Sequence, residues 1–166
     1  MDEINGLARA NFIGRFGAVY EHSPWLAAAA ADRRPFASCD DLLAAMRATV
    51  DAAGEAAQLA LIRAHPDLAG TLAIAGGLTE ASRNEQGGLG LDRLAPAELA
   101  LFQDLNTRYR EKFGFPFIIC VRLTDKAGIL EAFRRRIASD PETERLTALD
   151  EIHHIARIRV ADIMRQ

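Results

Sequence analysis

The side chains best suited to proton transfer in this chain lie in two short stretches. His65 stands in the run His-Pro-Asp-Leu-Ala-Gly, and Ser82, Glu85 and Gln86 follow 17 to 21 residues later. A histidine, a carboxylate and an amide brought together are the minimum for acid–base chemistry without a cofactor. The ordinary pKa of an imidazole, about 6.5, suits such proton transfer at neutral pH. We therefore treat these four residues as a candidate site.

The sequence around His65 predicts that its side chain is presented at the end of a helix. Ala56, Leu59 and Ile62 recur with helical spacing over residues 55–64. Pro66 disfavours helical backbone angles at the residue before it, so we expect the helix to end at His65. A side chain at such a bend is available for contact with a ligand.

A second predicted helix holds the other three residues. Thr79 is the expected N-cap, and the glycines between residues 87 and 90 are expected to end the helix. Ser82 and Glu85 are three residues apart and therefore share one face of this helix. The same pair also fits a capping box in which Ser82 is itself the N-cap, so a purely local role stays open.

Other interpretations of His65 also stay open. A histidine at a helix C-terminus can serve only as a favourable contact with the helix dipole. His-Pro-Asp is also the signature of the J domain, but the preceding helix has a single arginine and no lysine follows Asp67. We expect Asp67 to form a local turn or cap. His22, at a break between two predicted helices, is a second-rank site candidate.

Composition and periodicity predict an all-α, single-domain multi-helix bundle over residues 1–166. The chain is 49% hydrophobic but only 7% aromatic, and alanine outnumbers the β-branched residues, a balance that favours helices. Further helices are expected over residues 4–21, from Pro24, over 38–50, 96–113 and 126–138, and from 141 to the C-terminus, with a weaker one over 70–77.

The apolar run over residues 115–121 is expected to be a buried connecting segment, because a solitary strand cannot form a sheet. On the last helix, the residues expected to face inward are Leu146, Leu149, Ile152, Ile155 and Ile163.

Charge and cysteine usage exclude several classes of protein. The net charge of −3 does not suggest a nucleic-acid-binding surface, and the run of arginines over residues 134–136 is interpreted as a solvated helix face. Cys39 and Cys120 are far apart and form no CxxC pattern, which favours a reducing, cytoplasmic location. No signal peptide is visible, and the apolar runs are too short to span a membrane.

The sequence also lacks the spacing of a metal site. His153 and His154 are adjacent on a predicted helix, so their side chains point about 100° apart and cannot chelate one ion. No HExxH motif or glycine-rich phosphate loop is present either. We therefore expect neither a metal nor a nucleotide cofactor.

In chain order, several segments resemble the OHCU decarboxylase family, where OHCU is 2-oxo-4-hydroxy-4-carboxy-5-ureidoimidazoline. The matching segments cover residues 16–25, 34–36, 65–69, 78–91, 109–120 and 155–160. No single segment is decisive, but the ordered series is specific and covers nearly the whole chain.

The resemblance implies a helical fold, a homodimer and no cofactor. It also implies that His65 and Glu85 are catalytic, with Arg157 as the neighbour that can be confused with the family arginine, Arg159. The residues that it implies as substrate contacts are Pro66, Ser82, Gln86, Phe117, Ile119 and Arg159.

The activity implied by the resemblance is the decarboxylation of a small ureide, OHCU, to (S)-allantoin in urate degradation. Two alternatives stay open. One is a cofactor-free hydrolase of a related ureide, such as 5-hydroxyisourate, which would need an activated water. The other is an inactive family member that serves as a helical binding partner.

Overall fold

The computed structural model describes residues 1–70 and 78–166. Every regular element within them is helical, which confirms the all-α prediction. The α-helices are α1 (Asp2–Gly6), α2 (Arg9–Phe16), α3 (Pro24–Ala31), α4 (Cys39–Ala52), α5 (Gly54–Arg63), α6 (Glu80–Gly88), α7 (Pro96–Phe113), α8 (Lys126–Arg136) and α9 (Pro141–Ile163). A single 3₁₀ turn, Val121–Leu123, precedes α8. A weaker helix is expected over residues 70–77, and residues 71–77 lie outside the described part of the chain.

Capping residues, among them the predicted Thr79, explain where several helices begin and end. The hydroxyls of Ser38 and Thr79 accept hydrogen bonds, 3.1 and 3.3 Å long, from backbone N–H groups three residues later. Pro96 occupies the first turn of α7, where a missing N–H costs nothing. Gly114 ends the same helix in the left-handed conformation, with φ of 72°.

The predicted first helix is instead two helices, α1 and α2, because the backbone at Leu7 and Ala8 is extended, with ψ of 139° and 145°. Long-range hydrogen bonds account for the break. The Asn5 side chain bonds both backbone groups of Phe36, and Arg34 donates to the carbonyls of Asn5 and Leu7. These bonds outweigh the helical propensity of the local sequence.

The inward face of α9 also differs from the prediction. Leu149 and Ile152 are buried as expected, but Leu146 is 50% exposed. Ile155 and Ile163 are half-buried. Glu144 is fully buried instead, because its carboxylate accepts a 2.8 Å hydrogen bond from Arg136 Nε and another from the Tyr109 hydroxyl.

The prediction that residues 134–136 form a solvated face is wrong for Arg136. Arg134 and Arg135 are exposed, whereas Arg136 is 4% exposed. The buried carboxylate of Glu144 and the carbonyl of Ile118, which lies 2.7 Å from Arg136 Nη1, supply the partners that a buried guanidinium needs.

Two compact units make up the described chain. The first comprises residues 1–64 and 152–166, and in it α3 packs against both α2 and α4. The second comprises residues 65–151. Its core is aromatic: the Phe117 ring stacks on Phe133 at 3.7 Å between centroids and meets the Tyr109 ring edge-on. The single-domain organisation stays a prediction.

Within residues 1–70 and 78–166, no helix combines the length and apolar composition needed to cross a bilayer. The same part of the chain contains no group of three or more His, Cys, Asp or Glu side chains placed to hold a metal ion. Cys39 and Cys120 are both free thiols.

Candidate functional site

His65 lies immediately beyond α5, in the second unit, and is only 6% exposed. The helix ends at Arg63, two residues before the end predicted at His65, and the chain then turns over residues 65–70. We call residues 65–70 the His65 loop. Within it, Ala69 adopts a positive φ of 49°, which a residue with a Cβ seldom adopts without support from its surroundings.

Helix α6 carries the other predicted residues and is bonded to the His65 loop. Ser82 and Gln86 are buried and Glu85 is half-buried. The Gln86 side chain accepts a 3.1 Å hydrogen bond from the Ala69 N–H, and its amide nitrogen lies 3.5 Å from the Asp67 carbonyl oxygen. Gln86 therefore joins the two stretches that the sequence singled out.

Thr79, not Ser82, is the N-cap of α6, because the Ser82 N–H donates to the Thr79 hydroxyl. The capping-box interpretation, in which Ser82 is itself the N-cap, is therefore wrong. Ser82 and Glu85 consequently lie one helical turn apart within α6, on the same face of the helix.

The connecting segment over residues 115–120 forms the third part of the site. Phe117 is buried and Ile119 is half-buried. Two neighbouring peptide groups are held by side chains: the Ile118 carbonyl accepts from Arg136, and the Cys120 N–H donates to Glu151 Oε2 over 2.8 Å. The backbone of this segment is therefore anchored by side chains of α8 and α9.

Helix α6 packs against the 3₁₀ turn that follows this segment. The pKa of the Cys120 thiol is raised to about 11, chiefly by burial and further by the charges of Glu151 and Glu85. Glu85 is thus close enough to the segment for its charge to act there. The thiol itself is buried.

Arg159 belongs to the first unit, where it is 6% exposed. Its Nη1 lies 2.9 Å from Glu21 Oε2 and 3.4 Å from the carbonyl oxygens of Ala18 and Val19. Arg157, two residues earlier, is exposed and pairs with Asp40 at 2.8 Å. Burial therefore separates the two arginines that the sequence could not tell apart.

All the predicted site residues except Arg159 lie in the second unit. Arg159 lies in the first, and the second contains the rest: His65, Pro66, Ser82, Glu85, Gln86, Phe117 and Ile119. Their catalytic and binding roles stay predictions. His22 is exposed in a left-handed turn with φ of 47°, in keeping with a structural role between helices.

Sequence reasoning missed three side chains that hold these residues in place. Asn106 donates to the Leu68 carbonyl over 2.8 Å, Arg110 binds the Asp67 carboxylate, and Glu21 binds Arg159. The sequence did contain a pattern that could have identified Asn106. It lies four residues after Phe102 and three before Tyr109, which makes it a polar residue on the apolar face of α7.

Comparison with known proteins adds independent information. The sequence model of the family described as OHCU decarboxylase matches residues 5–161. The 2-oxo-4-hydroxy-4-carboxy-5-ureidoimidazoline decarboxylase of Haloferax volcanii is 43% identical over 162 residues, which cover 98% of this chain and 94% of that protein.

Two solved structures are similar. A crystal structure of (S)-allantoin synthase superposes with a TM-score of 0.78 at 31% identity, covering 98% of this chain and 52% of that one, so this chain spans about half of that protein. A crystal structure of OHCU decarboxylase in the presence of (S)-allantoin superposes with a TM-score of 0.68 at 22% identity, covering 86% of this chain and 92% of that one. The second likeness supports the fold alone.

Proposed function

The chain belongs to the OHCU decarboxylase family, and we propose that it catalyses the cofactor-independent decarboxylation of OHCU to (S)-allantoin in urate degradation. The structural observation that carries the proposal is the buried His65. Its loop is bonded to α6, the helix that also holds Ser82 and Glu85. Residues 1–166 act together as one OHCU decarboxylase domain in this proposal.

The substrate's own structure supplies the electron sink. OHCU carries a carboxylate and a hydroxyl on C4, next to a C5=N imine. When the bond from C4 to the carboxylate breaks, its electron pair forms a C4=C5 bond and the imine pair moves to nitrogen, which takes up a proton. The resulting enol becomes allantoin when the C4 hydroxyl loses its proton and C5 gains one. The enzyme must therefore orient the carboxylate and move protons.

His65 is the proposed general acid–base for these proton transfers, and Glu85 orients or polarises the substrate and the imidazole. A single imidazole serves both directions of transfer, because its ordinary pKa lies near neutral pH. Delivery of the proton to one face of C5 makes the product the S enantiomer.

Ser82 and Gln86 are the proposed contacts for the ureido part of the substrate, and Pro66 is a further proposed substrate contact. Arg159 binds an anionic or carbonyl group. The backbones of Phe117 and Ile119 complete the set. Support for the last two comes from the anchored backbone groups beside them, the Ile118 carbonyl and the Cys120 N–H. These bonds hold the two peptide groups that flank Ile119, so the backbone beside Phe117 and Ile119 is fixed in position.

We also propose that the protein is a cytoplasmic homodimer. The free thiols of Cys39 and Cys120 are compatible with a reducing compartment. Sedimentation velocity should give a mass twice that of one chain, and a species with the mass of a single chain at assay concentrations would contradict the dimer.

The decisive experiment replaces His65 with alanine and follows freshly prepared OHCU by the appearance of optical activity and the release of CO₂. Loss of a positioned acid–base should lower kcat by about 10²- to 10⁴-fold. His154→Ala is the matched control, because His154 is an exposed histidine on α9 and should keep the wild-type rate.

Each alternative predicts a different product result. A hydrolase of 5-hydroxyisourate would consume that compound without releasing CO₂, and an inactive binding partner would not speed the appearance of optical activity above the uncatalysed rate. Wild-type turnover by the His65→Ala enzyme would overturn the proposed role of His65.

A further inference from the structure

The peptide unit between Leu68 and Ala69 is held at both ends by side chains from distant parts of the second unit. Asn106 Nδ2 on α7 donates to the Leu68 carbonyl oxygen over 2.8 Å. The Ala69 N–H of the same peptide donates to Gln86 Oε1 on α6 over 3.1 Å. Because a peptide unit is planar and rigid, bonding its carbonyl and its N–H together fixes the rotation of the whole plane.

The residue before this peptide is held as well. Arg110, one helical turn after Asn106 on α7, places its Nε 3.0 and 3.1 Å from the two carboxylate oxygens of Asp67. The Asp67 carbonyl oxygen lies 3.5 Å from Gln86 Nε2. Only Pro66, whose ring fixes its own φ, separates Asp67 from His65. Few backbone rotations are therefore left between the held peptide and the imidazole.

The turn itself is tight and strained, and it needs such support. Ala69 has φ of 49°. A Cβ at Gly70 would lie 2.9 Å from Asp67 Cβ and 3.3 Å from the Asp67 carbonyl oxygen, so the chain closes back on itself here. A non-glycine residue in the left-handed region persists only where surrounding contacts determine it.

Stability alone does not account for an asparagine at position 106. The residue is 6% exposed, and within the described part of the chain its Oδ1 is buried and accepts no hydrogen bond. A buried polar atom without a hydrogen bond lowers the stability of the folded state. Among residues 1–70 and 78–166, what the amide contributes is therefore the directed bond from Nδ2 to the Leu68 carbonyl.

We propose that Asn106 is a positioning residue for the reaction: together with Gln86 it fixes the Leu68–Ala69 peptide plane and thereby the direction in which His65 presents its imidazole. The inference rests on the proposed role of His65 and deepens it. Asn106 acts through the loop backbone and does not touch the substrate.

Two substitutions at position 106 test the proposal. Asn106→Asp keeps the shape but replaces the donor with an oxygen, and Asn106→Leu removes both polar atoms. In both variants we expect kcat to fall about 10- to 100-fold with KM within about twofold of wild type, because small misplacement of a catalytic group slows chemistry far more than binding.

A second readout does not depend on turnover. In both variants the Ala69 N–H should exchange with solvent at least about tenfold faster than in wild type by NMR, since local hydrogen-bond loss lowers protection. The pH titration of the His65 ring protons should also shift. A side chain with a merely structural role would change neither the ring titration nor the kcat of the folded fraction.

Two control variants separate positioning from general loss of stability. Ile129→Val removes a methyl group from the buried core of α8 and should lower stability while keeping the wild-type kcat per folded molecule. Gln103→Ala changes an exposed residue on α7 and should change neither quantity.

Wild-type kcat and an unshifted His65 titration in Asn106→Leu would overturn the inference. So would a fall in kcat that only follows the folded fraction, as judged against Ile129→Val. Failure of the proposed function looks different: the wild-type enzyme would then not accelerate the decarboxylation of OHCU. Failure of the proposed role of His65 alone would appear as turnover kept by His65→Ala, whatever the Asn106 variants do.

Discussion

Arg157 and Arg159 lie two residues apart on α9 and differ in burial and in partner. The Arg159–Glu21 pair is buried on both sides, with 7% and 2% of the side chains exposed, whereas the Arg157–Asp40 pair is 62% and 72% exposed. A buried pair is costly to break because the remaining charge has left water, while an exposed pair is screened by solvent. Glu21 therefore matters to the first unit irrespective of any role in binding.

We predict that Glu21→Ala lowers the free energy of unfolding by about 3–5 kcal/mol, because it leaves the Arg159 guanidinium buried without its carboxylate. Urea denaturation followed by circular dichroism measures the change. Asp40→Ala, which breaks the exposed pair of Arg157, should cost less than about 1 kcal/mol. Equal effects of the two substitutions would contradict this account of burial.

At the scale of elements, one buried cluster ties α7, α8 and α9 to the connecting segment of the site. Glu144 of α9 accepts from Tyr109 of α7 and from Arg136 of α8, and Arg136 also donates to the Ile118 carbonyl. The Arg136 guanidinium lies 4.5 Å from the centroid of the Phe117 ring. Burial and the neighbouring Glu144 carboxylate raise the pKa of Tyr109, so its hydroxyl stays a donor.

A double-mutant cycle at this cluster should be strongly non-additive. Glu144→Leu alone leaves the buried Arg136 charge without its carboxylate and should cost about 3–5 kcal/mol of unfolding free energy. Adding Arg136→Met should recover part of that loss, because no buried charge then remains. Urea unfolding of the four proteins gives the coupling, and simple additivity of the two single effects would rule the cluster out as a unit.

The same elements show what local sequence can and cannot reveal. Ser38, Thr79 and Gly114 act within one turn of their helix ends, so their roles follow from residue type and position. The break after α1 and the inward position of Glu144 depend on partners from other elements. No local sequence pattern indicates which residues those partners are.

At the scale of the whole molecule, the ionisation of a buried group is linked to global unfolding. The Cys120 thiol has an ordinary pKa of 9.0 and a folded-state pKa of about 11, raised first by burial. Since the folded state holds this proton more tightly, its contribution to stability is complete below pH 9 and is lost as the pH rises from 9 towards 11.

We therefore predict that the unfolding free energy falls between pH 9 and pH 11, and that Cys120→Ala makes this fall shallower. Urea denaturation at several pH values in that window measures the slope. Cys39→Ala, at the other free thiol, is the control and should leave the slope as in wild type. An unchanged slope in Cys120→Ala would mean that other groups, such as the buried tyrosines, account for the alkaline loss.

Family membership also belongs to this scale. The family match over residues 5–161 includes residues of both compact units, and it agrees with the resemblance found in separate short segments of the sequence. The motifs around His65, Glu85 and Gln86 could be recognised in the sequence because each is contiguous and its residue types suit acid–base chemistry.

The sequence by itself determined the all-α class, most helix ends, the family and the candidate acid–base residues, because these follow from local propensity, capping and short motifs. Only the tertiary structure decided how the His65 loop is held. Asn106 and Arg110 lie 38 and 43 residues from their partners in that loop. Burial likewise distinguished Arg159 from Arg157, since the burial of a charge depends on a partner such as Glu21 that lies 138 residues away.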